Sequence, residues 1–230
     1  MQKLKKSPHK NELVLALVFL LMFVVFSIIS DHFLTLTNTM SLLSQMVELG
    51  LLTLAMSASM ISGGMDLSIS ATCSLSTVFL GIFIGKAGLS SPLAVLVFSY
   101  LIAGRRIYLI GASPEVARFA GINLRKNLFL TYMFCAAMAF LASLVFASKI
   151  SAGRADVADS LLLKTVSASV FGGVSTLGGI GTLGGAMLGV AVITLISNGL
   201  DMINASSYLQ QVVIGAMLLI VLAYRHARKK

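Results

Sequence analysis

An all-α, polytopic membrane fold is what this sequence predicts, from three observations. Apolar residues make up 57% of the 230 residues and charged residues 11%, where a water-soluble domain carries about 25% charged. Mean hydropathy is +0.97, so the chain has too few charges to solvate a surface of its size. The apolar residues fall in long charge-free runs, and the basic residues collect where those runs end, the distribution that membrane insertion produces. The net charge of +9 is therefore an orientation signal. It predicts no nucleic-acid partner, since the bases are not gathered on one folded face.

About 20 apolar residues cross the hydrocarbon at a rise of ~1.5 Å each, and the runs can be taken in order. Residues 13–30 follow a lysine-rich start. Such a pair resembles a signal peptide, but 18 uncharged residues ending at Asp31 without a small-residue cleavage pattern favour a first span. Next come 40–61, 67–85 and 87–104, the last of them short of a full crossing from Ser90 on. After a basic segment come 127–148, the uncharged stretch 165–200, and 202–224. The 36 residues of 165–200 are too many for one span and carry glycines at their middle, so they divide in two. About eight crossings result, in one membrane domain covering residues 1–230.

Parity then orients the chain. With the N-terminal lysines inside, four spans return residues 104–126 to the inside and four more return Arg225–Lys230. These three segments hold 13 of the 17 Lys and Arg residues, while Asp31, Asp156, Asp159 and Asp201 fall outside. Both termini are expected in the cytoplasm of a cell whose inner membrane holds the protein.

Residues 104–126 are the long charged segment between the termini, with Arg105, Arg106, Arg118, Arg125 and Lys126 against the single acid Glu115. A short polar loop pinned between spans is where a soluble partner grips a membrane subunit. Its middle predicts a helix stub: Ser113 suits the N-cap, Pro114 the first turn, and Glu115 the positive helix end. Gly121 is placed to stop it. A stub of about seven residues is not stable alone, so flanking spans and a partner surface must hold it.

Paired glycines interrupt two runs, Gly63-Gly64 before Asp66 and Gly172-Gly173 in the second half. Glycine costs about 1 kcal/mol in a helix interior and admits positive φ, so each pair breaks or kinks a span. Gly-interrupted segments in corresponding positions mark the pathway in repeat-built transporters. Gly181, Gly185 and Gly189 recur every fourth residue, a spacing that lets membrane helices approach closely. Ionisable residues in or near spans are functional candidates. Asp66 is equally suited to capping the helix after it, and Glu48 and Lys164 to reaching for the interface.

Other chemistries lack their residues. Gly179-Ile180-Gly181-Thr182-Leu183-Gly184 fits the dinucleotide pattern, but that pattern needs a strand before it and a helix after it in a soluble unit. Gly85-Lys86-Ala87 lacks the Ser/Thr that completes a phosphate loop. His9, His32 and His226 stand apart with no second metal ligand at helical spacing, and Cys73 and Cys135 lie in apolar runs as small hydrophobes. No catalytic set, metal or cofactor is predicted, and the chain is not expected to be an enzyme or to hydrolyse ATP itself.

Several ordered motifs resemble a known family. They are Gly63-Gly64-Met65-Asp66-Leu67-Ser68, Gly104-Arg105, Ile110 through Ile122, Phe171-Gly172-Gly173-Val174, Gly178-Gly179-Ile180-Gly181-Thr182, and Asn198-Gly199-Leu200. Together they resemble the permease subunits of ATP-binding-cassette importers for simple sugars of the ribose, xylose, rhamnose and autoinducer-2 type. The resemblance implies a second permease copy or paralogue, cytoplasmic ATPase subunits and a periplasmic sugar-binding protein, with lipid around the spans. It places Pro114, Glu115, Ala117, Arg118 and Gly121 in the loop that couples to the ATPase, and Gly63, Gly64, Asp66, Gly172, Gly173 and Asn198 along the pathway. Family members are longer: about two spans before Gly104 have no counterpart here, and Lys164 stands where an uncharged residue is expected. The alternative to a working permease is thus a shortened, non-transporting remnant or assembly partner. A self-contained carrier or channel would have only Asp66 and Glu48 to couple ions.

Overall fold

The computed structural model describes residues 8–30, 32–76, 110–150 and 159–227. Its helices are α1 (Pro8–Ile29), α2 (Leu36–Ile61), α3 (Pro114–Phe119), α4 (Leu124–Ile150), α5 (Asp159–Phe171), α6 (Leu183–Met202) and α7 (Ser207–Ala227). Residues 68–76 and 110–112 are also helical, and no strand occurs among the described residues. The protein is an all-α polytopic membrane protein.

The expected eight crossings are too many for what is described. Four segments are long and apolar enough to span a membrane: Glu12–Ile29, Leu36–Ile61, Leu124–Lys149 and Leu183–Met202. Two apolar segments are shorter, Leu161–Phe171 and Ser207–Ala223, and of the runs 67–85 and 87–104 only 67–76 lies within the described residues. The shortness of α5 has a local cause. The glycine pair ends it after 13 residues, about 20 Å at 1.5 Å per residue, against a hydrocarbon thickness of about 30 Å. The stretch 165–200 does divide in two, resuming as α6 at Leu183. The last run begins later than expected, because Met202 closes α6 and α7 starts at Ser207.

Helices α2, α3, α5 and α6 end in one way. A left-handed residue follows each last turn: Gly63 (φ 93°), Gly121 (φ 74°), Gly173 (φ 97°) and Asn204 (φ 54°). Two amides then bond back onto the last turn. The pairs are Gly64 N–H to Ser59 C=O and Gly63 N–H to Met60 C=O, both 3.1 Å, and in α5 Val174 to Ser169 at 3.1 Å and Gly173 to Val170 at 3.0 Å. Ile122 to Ala117 with Gly121 to Arg118, and Ala205 to Leu200 with Asn204 to Asp201, repeat the pattern. This closure satisfies carbonyls that would otherwise face hydrocarbon or the protein interior unpaired.

Helix α2 is the central post, packed on α4, α5 and α6. Leu52, Met56, Met60 and Ile61 of α2 meet Cys135, Met138 and Ala142 of α4 and Val170 of α5 in the main core. The crossing of α5 with α6 is closest where glycine faces glycine: a methyl group on Gly172 or Gly185 would overlap the opposing backbone, and one on Gly189 would overlap the Ala168 carbonyl. The packing role expected of the every-fourth-residue glycines thus holds for Gly185 and Gly189. Gly181 lies before α6 and is not part of the stripe. Helix α1 lies along α6 with Phe26 seated on Gly199. Its opposite face exposes Leu13, Leu17, Leu21 and Ile28, as a lipid-facing span does.

Some polar side chains inside the bundle are paired between helices, while the hydroxyls of Thr53, Thr165, Ser167, Thr194 and Ser197 are buried without a partner. Glu48, 4% exposed, accepts from Lys149 Nζ at 3.2 Å and from Ser44 Oγ at 3.2 Å. Ser57 donates to Ser169 at 3.1 Å, joining α2 to α5. These contacts also sort the helix ends. The start of α1 meets the start of α6 through Glu12 and Thr182, and the end of α2 meets residues 110–112 and 178–179. The α3 stub therefore shares one end of the bundle with the start of α1 and the ends of α2 and α5. At the opposite end, Asn38 and Asn198 close α2 on α6.

Candidate functional site

The charged loop forms a stub fastened at both ends. Ser113 Oγ accepts from Val116 N–H at 3.4 Å as the N-cap, Pro114 opens the helix, and Glu115 lies in the first turn with Arg118 in the last. Both charges suit the helix dipole at their ends. After Gly121 turns the chain, Asn123 Oδ1 accepts from Lys126 N–H at 3.1 Å and starts α4. Residues 104–109 of the loop, Arg105 and Arg106 included, lie outside the described residues.

The stub's faces separate the residues assigned to it. Ala117 is fully buried and anchors the stub inward, so it is not available to touch a partner. Pro114, Glu115 and Arg118 are exposed. Gly121 is exposed with open space where a Cβ would stand, so its importance is conformational. Reading the sequence missed Phe119, which is 93% exposed, and Val116, at 56%. Three apart on one helix, they share a face. An almost bare phenylalanine beside Arg118 is an apolar knob in a charged setting, and that contrast within the loop was the signal available in the sequence.

The glycine breaks converge just behind the stub. Gly179 N–H donates to the Ile61 carbonyl at 2.8 Å, bridging the segment after α5 to the end of α2. Gly111 sits between them: a Cβ there would overlap the Ile61 carbonyl oxygen and stand 2.6 Å from Gly179 N. A Cβ on Gly178 would be 2.7 Å from the Gly111 oxygen and 2.8 Å from Gly63 Cα. Three backbones thus meet with no side chain between them. Within the pairs, Gly63 and Gly173 supply left-handed conformation, Gly172 supplies close approach, and Gly64 faces Tyr132, whose hydroxyl would lie 2.8 Å from an added Cβ.

The other assigned residues are tied into local structure. Asp66 is buried, and its Oδ1 accepts from both N–H and Oγ–H of Ser68, which caps helix 68–76, one residue later than expected. The Asp66 amide donates to Ser59 Oγ at 2.9 Å, folding the break back on α2. Asn198 is buried in a reciprocal amide pair, accepting from Asn38 at 3.2 Å and donating to it at 2.8 Å, at the bundle end opposite the stub. The structure therefore brings Gly63 against Gly111, just before the stub, leaves Gly172 in the crossing of α5 with α6, and leaves Asn198 apart. Lys164 is half-buried within α5. Gly179 through Gly184 form a turn into α6 that Thr182 caps at Gly185 N–H, 3.0 Å, and no strand precedes it. Among the described residues no group of three His, Cys, Asp or Glu side chains could hold a metal ion.

Comparison with known proteins identifies the family. The model of a family described as branched-chain amino acid transport system / permease component matches residues 93–222, which include the stub, Gly111 and the whole of α4, α5 and α6. The chain belongs to this family. It is a transport-system permease component, not an enzyme. A probable ABC transporter permease protein of Escherichia coli (strain K12) is 25% identical to it over 295 residues, covering 93% of this chain and 89% of that protein. The xylose transport system permease protein of the same organism is 33% identical over 127 residues, 55% of this chain and 32% of its own. An autoinducer 2 import system permease protein of Photorhabdus laumondii is 29% identical over 147 residues, 60% of this chain and 44% of its own. This permease thus spans less than half the length of the last two relatives. The 295 aligned positions of the first exceed the 230 residues here, leaving at least 65 with no residue opposite them. No solved structure matches the chain.

Proposed function

We propose that this permease is the membrane subunit of an ATP-binding-cassette importer for a simple sugar (a pentose, a hexose or an autoinducer-2-like molecule), energised by a separate ATPase docked on α3. The single observation that carries this reading is the stub: a capped helix, held inward by Ala117, that presents Phe119, Val116, Glu115 and Arg118 outward. A short helix set into a groove is a common recognition mode, with apolar anchors three or four residues apart. Family membership supplies the transport-system setting, and the xylose and autoinducer relatives favour a sugar over an amino acid as cargo. The reading puts the stub end, with both termini, in the cytoplasm and the protein in the inner membrane. A second permease copy or paralogue and a periplasmic sugar-binding protein complete the importer.

Uptake of labelled ribose, xylose, rhamnose and autoinducer-2 by cells lacking this chain tests the reading. One of the four is expected to fall to background and to return with a plasmid copy. Unchanged uptake of all four would contradict it. One observation favours a second reading, an assembly partner that does not transport alone: the 65 or more aligned positions without a residue here. In proteoliposomes holding the ATPase, the binding protein and this chain as sole permease, uptake would dismiss that reading. Uptake appearing only after a full-length paralogue is added would favour it.

A further inference from the structure

We infer that the meeting of Ile61, Gly111 and Gly178-Gly179 is the link through which movement of the docked stub reaches the two glycine breaks, with Gly111 as its positioning residue. The inference rests on the docking reading above and adds what lies behind the stub. Only Ala112 and Ser113 separate Gly111 from Pro114, and Ser113 caps the start of the stub. A shift of the stub is therefore not absorbed by slack chain. On its other side Gly111 is in backbone contact with the end of α2 and with residues 178–179, and a hydrogen bond from Gly179 to Ile61 crosses this junction.

Packed backbones respond to such displacement by switching arrangement more readily than by bending, because close-packed interfaces resist gradual deformation. A stub pulled away from the bundle withdraws Gly111, and a stub pushed inward drives it between Ile61 and Gly179. Either movement exchanges the Gly179–Ile61 bond and releases the left-handed turns at Gly63 and Gly178 from each other. With this bond gone, the segment leading into α6 is no longer tied to the end of α2, while Asn38–Asn198 at the opposite end and Asp66–Ser59 beside the break still hold α6 and helix 68–76 to it. Glycine is required at position 111 because any side chain would hold the junction open, and at 178 because φ is +90° with backbone on two sides.

The test uses the full chain in complex with its ATPase. An added Cβ at Gly179 would stand 2.9 Å from Ala112 Cβ, so the pair Ala112→Cys and Gly179→Cys lies near disulfide reach of about 3.5–4.5 Å after a small shift. Native Cys73 and Cys135 are buried, and each single variant serves as control. Disulfide formation, read as loss of two maleimide-polyethylene glycol adducts, is expected in the nucleotide-free complex. Its rate should change by about fivefold or more when ATP and vanadate trap the ATPase, the lower range of ordinary coupling between sites. In the unsubstituted complex, hydrogen exchange of the peptide containing Gly179 should change in parallel, which covers the case of a double variant that fails to assemble. A complex that retains its ATPase while both cross-linking and exchange ignore nucleotide would overturn the inference and leave docking intact. Loss of the ATPase itself would count against the docking reading on which the inference stands.

Discussion

Four glycines in this protein are needed for different reasons, and substitution should separate them. Gly121 turns the chain at φ 74° with open space around it, so Gly121→Ala should cost only the left-handed strain of about 1–2 kcal/mol. Gly173→Ala at φ 97° meets the same strain inside the bundle. Gly172 has no conformational demand, yet Gly172→Ala forces a methyl into the Gly185-Ala186 backbone. Overpacking of that kind adds about 1–3 kcal/mol against atoms that cannot rotate aside. Thermal melting in detergent should rank Gly172→Ala as more damaging than Gly121→Ala, and equal melting would deny the close crossing. At Gly64 the obstacle is the far end of Tyr132, so Gly64→Ala should be tolerated in the Tyr132→Phe background. Sequence reading treated both pairs as breaks, which is how they behave. It could not divide the labour within each pair, because a glycine looks the same whether φ or contact distance requires it.

Between elements, the ion pair of Glu48 on α2 and Lys149 on α4 is the contact most exposed to test. Glu48 is buried, while the Lys149 side chain is 42% exposed, so the lysine enters from the rim to neutralise a carboxylate that cannot leave. Removing the lysine leaves a buried acceptor short of its partner, at about 1–3 kcal/mol. Lys149→Ala should lower the melting temperature, and Glu48→Gln combined with Lys149→Ala should recover part of the loss, because an uncharged amide tolerates burial better. Additive losses in this cycle would mean the pair is not coupled. The elements themselves were legible where charge and glycine punctuate hydropathy: the end of α2, both ends of α4 to within three residues, the split of 165–200, and the stub between Ser113 and Gly121. The start of α5 at Asp159, ahead of the run that begins at residue 165, and the late start of α7 were not. Asn204 closes α6 in a left-handed turn that the sequence announces only weakly, and hydropathy runs through it without a break. The burial of Ala117 and the exposure of Phe119 escaped for a related reason: six residues of helix carry too little periodicity to say which face turns inward.

At the scale of the molecule, the start of α1 and the stub share one end of the bundle, as is expected of two of the three segments that hold the 13 basic residues. Cysteines introduced at exposed Arg118 and Lys126 should resist a membrane-impermeant maleimide in intact spheroplasts and react after lysis. Labelling from outside would reverse the orientation. That orientation matters because docking to an ATPase requires the stub to face the compartment that holds ATP. The most direct measurement is capture of the ATPase from solubilised membranes on tagged permease, comparing the unsubstituted chain with Phe119→Asp. Phe119 is almost wholly exposed, so the change leaves the bundle's packing untouched while placing a charge at the centre of the apolar face. Hot-spot aromatics of this kind contribute about 2 kcal/mol or more, a loss of some thirtyfold in affinity. The unsubstituted chain should therefore retain the ATPase and Phe119→Asp should lose it, with equal amounts of permease in the membrane. Equal capture by both, or capture by neither, would contradict docking through the stub.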